Sequence, residues 1–192
     1  MYGKKSFLRQ SGYLLSSQQR LPLKADGSPI PWMNYHIIQF LESRFHKQLT
    51  LYEFGSGNST RFYADRVGEV NSVENNPQWY QLVSNTLPEN VHLTLAEDHQ
   101  DYINSIRLIG KSSDIVIVDG LMRVECAKVA LECLSEGGVM VLDDSDRQDY
   151  AEIFQLMANA GFRKIDFRGL KPGSISAFQT TVFYKDNNCL GI

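Results

Sequence analysis

Short apolar runs alternate with amphipathic segments along the chain from residue 49 to residue 160. Runs rich in β-branched and aromatic residues predict strands, whereas apolar residues that recur every three or four positions predict helices. By these criteria, strands are predicted at 49–54, 70–74, 91–95, 114–119 and 139–142. Helices are predicted after them at 59–67, 77–87, 102–109, 121–134 and 150–160. The run 114–119, with four β-branched residues between two aspartates, is typical of a strand buried on both faces.

Two further strands, at 162–167 and 178–184, follow with no helical segment between them. A short turn that contains Gly169, Pro172 and Gly173 connects these strands, so we expect an antiparallel hairpin. Consecutive β-α units that end in a hairpin predict an α/β fold. Its sheet should be mostly parallel and covered by helices on both sides, with right-handed crossovers.

Glycine and proline residues mark several of the predicted boundaries. Gly68 suits the position after the end of the first helix, and Gly110 closes the third helix. Asn76 and Pro77 suit the N-cap and the first position of the second helix. The pair Gly137–Gly138 predicts a turn between the fourth helix and the fifth strand.

The segment before the first strand lies outside the β-α pattern. Here a proline-stiffened turn containing Trp32 and Tyr35 precedes a helix with one apolar face. The two aromatic residues indicate a lid or part of a substrate pocket. The alternative is an added helix that packs on the edge of the sheet.

The chain has 192 residues, which suits a single domain with a core at 49–185 and a helical extension or lid at 1–48. Its 19 Lys and Arg residues against 22 Asp and Glu residues give a net charge of −3, without a block of like charges. This balance argues against binding to nucleic acid or to a membrane surface. The longest apolar runs fall short of the ~20 residues that a bilayer span needs.

The stretch Met1–Gln10 lacks the apolar region of a secretory signal. The cysteines show no CxxC spacing, and Cys126 and Cys133, which lie on one face of a helical pattern, are interpreted as reduced buried thiols. The histidines do not cluster with cysteines at zinc-ligand spacing. We therefore expect a cytoplasmic protein. The oligomeric state is left open, with a homodimer as one alternative.

The residues directly after each strand carry the candidate chemistry, because ligands of such sheets bind beyond the carboxyl ends of the strands. The first strand is followed by Glu53-Phe-Gly-Ser-Gly-Asn-Ser-Thr60. The glycines let a ligand approach the backbone, and the amides that open the next helix favour an anion. A dinucleotide site would need a third glycine at Thr60, whereas Glu53 suits an ammonium, so the pattern favours a zwitterion over a diphosphate. A purely structural turn is the alternative.

Acidic residues also follow the second and third strands. Glu74, which comes 17 residues after Gly57, suits the two hydroxyls of a ribose, or alternatively a solvated strand end or helix cap. After the third strand, an acid of the pair Glu97–Asp98 could accept a hydrogen bond from the amine of adenine. For Asp98 the alternative is the N-cap of the following helix, and the two roles are compatible.

The combination of these motifs resembles the class I S-adenosylmethionine-dependent methyltransferases over about residues 48–185. The residues that carry the resemblance are Glu53, Gly55, Gly57, Glu74, Asp98 and Asp119. It implies a three-layer Rossmann-like sandwich whose seven-stranded sheet has the order 3-2-1-4-5-7-6, with an antiparallel seventh strand. It also implies S-adenosylmethionine as cofactor, with the loop at 55–58 holding its methionine part, Glu74 its ribose and Asp98 its adenine. The residues expected to bind the cofactor are Glu53, Gly55, Ser56, Gly57, Asn58, Ser59, Thr60, Glu74, Asn75, Glu97, Asp98 and Asp119.

Methyl transfer depends mainly on positioning, and the catalytic candidates follow the fourth and fifth strands. In the first hypothesis, Asp119 lies beside the methyl donor, and Asp144 orients or deprotonates a hydroxyl of the acceptor. Arg123 and Arg147 then pair with a charged acceptor.

In the second hypothesis, Asp119, Asp143 and Asp144 bind a divalent cation, a layout that looks like the catechol-type O-methyltransferases. An all-oxygen site suits Mg²⁺ or Ca²⁺, and the ion would lower the pKa of the acceptor hydroxyl. Three carboxylates need counter-charges, and Arg123 and Arg147 each lie within four residues of the acids, so the metal is not favoured. A structural role for the acidic run is a third interpretation.

The residues after the fourth strand read Asp-Gly-Leu-Met, and not the Asn/Asp-Pro-Pro-aromatic run that goes with methylation of bases or glutamine. The resemblance therefore implies O-methylation of a small polar acceptor, such as a sugar or a secondary metabolite. An aminopropyl transferase of the polyamine-synthase type is an alternative with a decarboxylated donor, although Ser56 or Asn58 stands where that family has a further acid. A non-catalytic S-adenosylmethionine-binding protein is the other alternative.

Overall fold

The computed structural model describes Gly3 and residues 5–192. Met1, Tyr2 and Lys4, which belong to the stretch interpreted as lacking a secretory signal, lie outside the described residues. The strands are β1 (Thr50–Phe54), β2 (Glu69–Glu74), β3 (Val91–Leu95), β4 (Ser113–Val118), β5 (Leu134–Leu142), β6 (Arg163–Leu170) and β7 (Ala177–Tyr184). The α-helices are α1 (Phe7–Gln10), α2 (Tyr13–Gln19), α3 (Tyr35–Glu42), α4 (Asn58–Ala64), α5 (Pro77–Ser84), α6 (His99–Asn104), α7 (Arg123–Cys133) and α8 (Ala151–Asn159).

The strands form one seven-stranded sheet in the order β3-β2-β1-β4-β5-β7-β6. β1 pairs in parallel with β2 and with β4, whereas β7 pairs antiparallel with both β5 and β6. The strand order and orientations implied by the resemblance are therefore confirmed. Phe54 of β1 is in register with Val73 of β2 and with Val118 of β4, so these three strands end at the same edge of the sheet.

Helices cover both faces of the sheet, and the side chains of β4 divide between the two cores. Ile115 and Ile117 pack with residues of α3 and α4, whereas Val116 and Val118 pack with residues of α6, α7 and α8. All four side chains are fully buried. Burial on both faces explains why β4 has an unbroken apolar sequence. The three-layer α/β architecture is therefore confirmed.

One predicted strand boundary is wrong for a steric reason. β5 begins at Leu134, directly after α7, and includes the pair Gly137–Gly138 that was expected to form a turn. A Cβ at Gly138 would lie 2.9 Å from the carbonyl oxygen of Ser135. The glycines thus permit a tight irregularity within the strand, where its pairing with β4 shifts in register.

The helix ends follow the predicted signals in part. Asn76 caps α5 with its side chain, and Gly110 ends the 3₁₀ segment after α6 in a left-handed conformation, as predicted. α4, by contrast, ends at Ala64, so Gly68 is not its terminal cap. Gly68 is needed for space, because a Cβ there would lie 2.4 Å from the carbonyl oxygen of Lys47.

The N-terminal segment joins the sheet through Asn34 at the start of α3. The side-chain oxygen of Asn34 caps α3, and its amide nitrogen donates to the carbonyl oxygen of Phe167 in β6 and to the hydroxyl of Thr180 in β7. The buried face of α3 consists of Tyr35, Ile37, Ile38 and Leu41. The predicted amphipathic helix is confirmed, and it packs beside the β6–β7 hairpin. None of the described helices is long and apolar enough to cross a lipid bilayer.

Candidate functional site

A cleft of about 300 Å³ opens at the carboxyl ends of β1, β2 and β4, where the strand order reverses. Its walls consist of Gly55, Ser56, Glu74, Asn75, Tyr102, Asp119, Gly120 and Leu121. Five of these residues (Gly55, Ser56, Glu74, Asn75 and Asp119) are among the predicted cofactor-binding residues. The sheet thus brings together side chains from three separate strand ends, at the place where such sheets bind ligands.

The loop after β1 is held in place by contacts from two sides. Gly55 adopts a φ of 105°, a value that residues with a side chain rarely reach. A Cβ at Gly57 would lie 3.5 Å from the ring of Trp79 in α5, and the ring nitrogen of Trp79 donates to the carbonyl oxygen of Ser56 at 2.9 Å. On the other side, the side-chain amide of Asn58 donates to the carbonyl oxygen of Pro22 in the N-terminal segment at 3.1 Å. The loop is therefore fixed by protein contacts, and the φ of 154° at Gly57 favours glycine at this position.

Glu53 lies behind this loop and does not line the cleft. Its side chain is 1% exposed, and its carboxylate accepts hydrogen bonds from the hydroxyls of Ser59 and Thr60, the latter at 2.6 Å. The hydroxyl oxygen of Thr60 in turn accepts the backbone N–H of Gly57 at 2.9 Å. Glu53 therefore braces the loop. The interaction of Glu53 with the ammonium of a ligand stays a prediction. The loop would lie between the two groups, so the interaction could not be a direct contact from the cleft.

Burial raises the pKa of the Glu53 carboxyl to about 7, although the hydroxyls of Ser59 and Thr60 oppose the shift. This value lies above the ordinary 4.5, so the folded protein binds the proton more tightly than the unfolded chain does. The resulting stabilisation is fully present below pH 4.5 and is lost as the pH rises through about 7.

We expect Glu53→Gln to remove this pH dependence. From about pH 5 to about pH 8, the wild type should lose about 2 to 3 kcal/mol more unfolding free energy than the variant, since one pKa unit corresponds to about 1.4 kcal/mol. Urea denaturation at the two pH values measures this difference. Glu125→Gln, which changes an exposed acid of α7, should retain the pH dependence of the wild type. Equal pH dependence in wild type and Glu53→Gln would contradict the assignment.

Glu74 at the end of β2 presents its carboxylate to the cleft. Its Oε1 accepts the backbone N–H groups of Asn75 and Asn76, each at 3.0 Å, which fixes the orientation of the side chain. Its Oε2 accepts the hydroxyl of Ser56 at 2.7 Å. A carboxylate oxygen has room for more than one donor, so Oε2 can also accept a hydrogen bond from a ligand hydroxyl.

Tyr102 and Gly120 meet in the wall of the cleft. A Cβ at Gly120 would lie 2.0 Å from the hydroxyl of Tyr102 and 2.9 Å from the carbonyl oxygen of Phe54, so this position requires glycine. The adjacent Leu121 is 45% exposed and provides an apolar part of the wall. The sequence interpretation gave none of these residues a role, because their importance arises from the packing of α6 against the end of β1.

Glu97 and Asp98 line a separate groove between β3 and α6. Oδ1 of Asp98 accepts the backbone N–H groups of Gln100 at 2.7 Å and of Asp101 at 3.1 Å. The interpretation of Asp98 as an N-cap is therefore confirmed. Neither acid lines the cleft that contains Glu74, so their contact with adenine stays a prediction.

Asp119, which follows β4, pairs with Arg123 of α7. Nη2 of Arg123 lies 2.9 Å from Oδ1 of Asp119, Nε donates to the carbonyl oxygen of Gly120 at 3.1 Å, and Nη1 donates to the carbonyl oxygen of Asp143. Burial raises the pKa of Asp119, and the carboxylate of Asp143 adds to this shift, whereas Arg123 opposes it. All three guanidinium nitrogens thus contact oxygen atoms of the protein, so Arg123 is not free to bind a charged acceptor.

Asp143 and Asp144, which follow β5, share the ammonium of Lys171. Nζ of Lys171 lies 2.5 Å from Oδ2 of Asp143 and 2.5 Å from Oδ1 of Asp144. The hydroxyl of Thr180 donates to Oδ1 of Asp143 at 2.6 Å, and Nη1 of Arg123 lies 3.7 Å from Oδ2 of Asp144. Burial by itself lowers the pKa of Lys171, but the two aspartates outweigh this and raise it, so the ammonium stays charged.

Asp144 also has an unusual backbone. Its φ of 50° lies in the left-handed region, which costs free energy for a residue with a side chain and is found mainly in glycine, asparagine and aspartate. Such conformations cluster at functional sites. The side chain of Asp144 is 25% exposed, whereas that of Asp143 is 1% exposed. Of the two neighbours, Asp144 is therefore the one that a ligand can reach.

The acids considered as a metal site do not form one. The ammonium of Lys171 lies between Asp143 and Asp144, and Asp119 pairs with Arg123. In the described part of the chain, no group of three or more His, Cys, Asp or Glu side chains is arranged to hold a metal ion. The donor set therefore does not fit a divalent cation.

Arg147, Trp32 and Tyr35 do not line the cleft. The side chain of Arg147 is 56% exposed and lies 3.8 Å from an exposed aspartate of its own loop. Its predicted role as counter-charge to the acids is wrong, because the β6–β7 hairpin places Lys171 there instead. Trp32 donates its ring nitrogen to the carbonyl oxygen of Pro172, next to Lys171, at 3.1 Å. Tyr35 is 4% exposed and packs in the core, so its position does not favour contact with an acceptor.

Solved structures share this fold, whereas no protein-family model and no curated protein matches the chain. A precorrin-6y C5,15-methyltransferase from Geobacter metallireducens GS-15 matches with a TM-score of 0.60 and 16% identity, over 78% of this chain and 87% of its own. An O-methyltransferase from Bacillus cereus in complex with S-adenosylhomocysteine (SAH) matches with a TM-score of 0.60 and 14% identity, over 77% and 78%. A methyltransferase-like protein from Silicibacter pomeroyi DSS-3 matches with a TM-score of 0.57 and 20% identity, over 82% and 90%.

At these identities the similarity shows a common fold, and the resemblance to the class I methyltransferases is confirmed at that level. The matched structures also include an rRNA methylase and an N-methyltransferase. The fold therefore does not select the acceptor, which has to be inferred from the residues of the site.

Proposed function

We propose that the protein transfers a methyl group from S-adenosylmethionine to a hydroxyl oxygen of a small polar acceptor. The observation that carries this proposal is the cleft in which Glu74, the glycine loop and Asp119 meet at the reversal of strand order. The methyltransferase fold of the matched structures supports the choice of donor. The acceptor is inferred from the charged residues that follow β4 and β5.

Glu74 is the residue proposed to bind the ribose of the donor. Its carboxylate is already oriented by two backbone N–H groups, and Oε2 can accept hydrogen bonds from the vicinal hydroxyls. Leu121 offers an apolar surface in the same cleft for the purine, and the backbone of Gly55 and Ser56 leaves space for the methionine part. When bound, the donor supplies an electrophilic methyl carbon on a positively charged sulfur.

Asp144 is the residue proposed to receive the acceptor proton. It is linked to the cleft through Arg123, which contacts both Asp119 and Asp144. Asp144 takes the proton of the acceptor hydroxyl as the oxygen attacks the methyl carbon. The methyl group would pass from the bound donor to this oxygen, and the electron pair of the carbon–sulfur bond would stay on sulfur. Holding the oxygen in line with that bond is the main contribution of the protein, and proton transfer is the second.

The charges of the site favour a neutral acceptor. Arg123 and Lys171, the cations that contact Asp119, Asp143 and Asp144 among the described residues, are both paired with these aspartates. A carboxylate acceptor would approach three acids without an unpaired cation to bind it. A hydroxyl of a sugar or of another polar metabolite avoids this repulsion.

Binding of SAH tests the donor, and transfer of labelled methyl groups tests the acceptor. In calorimetry we expect SAH to bind to one site per chain and decarboxylated S-adenosylmethionine to bind more weakly. In assays with methyl-labelled donor, we expect label in neutral hydroxyl compounds and not in carboxylates. Absence of SAH binding would overturn the proposal, and a preference for the decarboxylated donor would favour aminopropyl transfer. SAH binding without transfer to any acceptor class would favour a non-catalytic binding protein.

A further inference from the structure

We infer that Lys171 takes the place of a divalent cation in this site and thereby positions Asp144 for the acceptor. The inference rests on the proposed function, because it concerns the acceptor side of the same site. Lys171 contacts neither donor nor acceptor in this scheme. It is a positioning residue that acts through Asp144.

The ammonium of Lys171 is buried and held by contacts with neighbouring side chains. Lys171 is 7% exposed, and its Nζ lies at 2.5 Å from one oxygen of each aspartate. The other oxygen of Asp143 accepts the hydroxyl of Thr180, whose oxygen accepts the amide of Asn34 at 3.1 Å. The ion pair is thus anchored through β7 to the start of α3, and both oxygens of Asp143 are engaged.

A positive charge is required at this position. Two neighbouring carboxylates, one of them buried, repel each other strongly in an environment with little water. The left-handed backbone of Asp144 permits its carboxylate to lie beside that of Asp143 on the same ammonium. Without a cation between them, this arrangement would be unfavourable, and one side chain would turn away or take up a proton.

An ammonium meets this requirement where a metal ion would not fit. Mg²⁺ and Ca²⁺ need about six or more oxygen ligands at about 2.0 to 2.6 Å, and an ion between the two aspartates would coincide with Nζ of Lys171. Lys171 delivers one charge from the β6–β7 connection. It leaves Oδ2 of Asp144, at 3.7 Å from Arg123, as the oxygen that can accept a proton. The site is therefore arranged for base assistance by a carboxylate instead of activation of the hydroxyl by a Lewis acid.

Binding of Mn²⁺, followed by electron paramagnetic resonance, tests this inference without any acceptor. The proteins compared are the wild type, Lys171→Met, Lys171→Arg and Asp144→Asn, together with the double variant Lys171→Met/Asp144→Asn. Melting followed by circular dichroism shows which of them fold. Methionine is close to lysine in size but carries no charge, whereas arginine keeps the charge and is the matched control.

We expect Lys171→Met to bind Mn²⁺ at least about tenfold more tightly than the wild type, because the freed carboxylates become available as oxygen ligands. The double variant should lose this gain, and Lys171→Arg should behave as the wild type. A folded Lys171→Met protein that binds Mn²⁺ no better than the wild type would overturn the inference. The inference would also be overturned if the wild type bound Mn²⁺ and Asp144→Asn abolished that binding. This comparison of wild type with Asp144→Asn can be made even if Lys171→Met does not fold. Failure of the proposed function would appear separately, as absent SAH binding in the wild type.

Discussion

Asp144→Asn is expected to lower kcat about 10²- to 10⁴-fold, the usual contribution of a positioned proton acceptor. Asparagine tolerates the left-handed backbone of position 144, and its side-chain oxygen can still accept a hydrogen bond from Lys171. The substitution therefore removes the charge and the basicity while it preserves the shape of the site. SAH affinity should stay close to that of the wild type, because Asp144 does not line the cleft that contains Glu74. Steady-state kinetics with methyl-labelled donor, beside calorimetry with SAH, measure both quantities.

Asp146→Asn provides the matched control for this prediction. Asp146 belongs to the same loop, but its carboxylate pairs at 3.3 Å with the exposed Arg168, away from Lys171. The control should retain the wild-type kcat. If Asp144→Asn lowered SAH affinity as much as kcat, the residue would be acting on the donor cleft. If it left kcat unchanged, the proton acceptor would have to be sought elsewhere.

The fold could be predicted from sequence because its signals are local and consistent. The four apolar residues between Asp114 and Asp119 reflect burial on both faces, which only a central strand of a covered sheet requires. The absence of a helical segment between the last two strands likewise determined an antiparallel hairpin. The pair Gly137–Gly138 was misinterpreted because glycine marks either a turn or an irregularity within a strand, and the choice depends on the neighbouring strand.

The cleft that is proposed to bind the donor could be predicted from the sequence for a topological reason. Parallel strands that meet at one edge bring the residues after them together, so Gly55, Glu74 and Asp119 could be expected in one cleft. The sequence did not indicate that Glu53 lies behind the loop, away from the cleft. Two residues before the glycine, it still belongs to β1, whose side chains alternate between faces.

The aspartate cluster that is proposed to face the acceptor could be predicted only in part, because its counter-charge comes from a distant part of the chain. Arg123 was found because it lies only four residues after Asp119. Lys171 lies 27 residues from Asp144, in a connection that the sequence interpretation treated only as a turn. The pairing of β7 with β5 carries this connection to the end of β5. In sheets of this topology, a lysine in the last hairpin is thus a candidate counter-charge for acidic residues that follow the fifth strand.

Glu74→Gln is expected to weaken SAH binding about 10²- to 10⁴-fold. A hydrogen bond to a charged group contributes about 1.5 to 3 kcal/mol, two ribose hydroxyls are expected to donate to this carboxylate, and each 1.4 kcal/mol corresponds to about a factor of ten. Glutamine can keep its oxygen on the backbone N–H groups of Asn75 and Asn76, so the end of β2 should retain its structure. Its amide nitrogen then replaces Oε2 and presents a donor to the ribose hydroxyls. Calorimetry with SAH measures the loss.

A ligand without ribose hydroxyls separates direct binding from an effect on the loop. Glu74 also accepts the hydroxyl of Ser56, so a substitution could weaken binding by moving the glycine loop. The analogue of SAH built on 2′,3′-dideoxyadenosine has no hydroxyls to donate to Glu74, and its affinity should be nearly equal in wild type and Glu74→Gln. An equal loss for both ligands would show that Glu74 acts through Ser56. The loss of affinity for the analogue is subtracted from the loss of affinity for SAH. Loop effects common to both ligands cancel in this difference, which therefore measures the contact of Glu74 with the ribose.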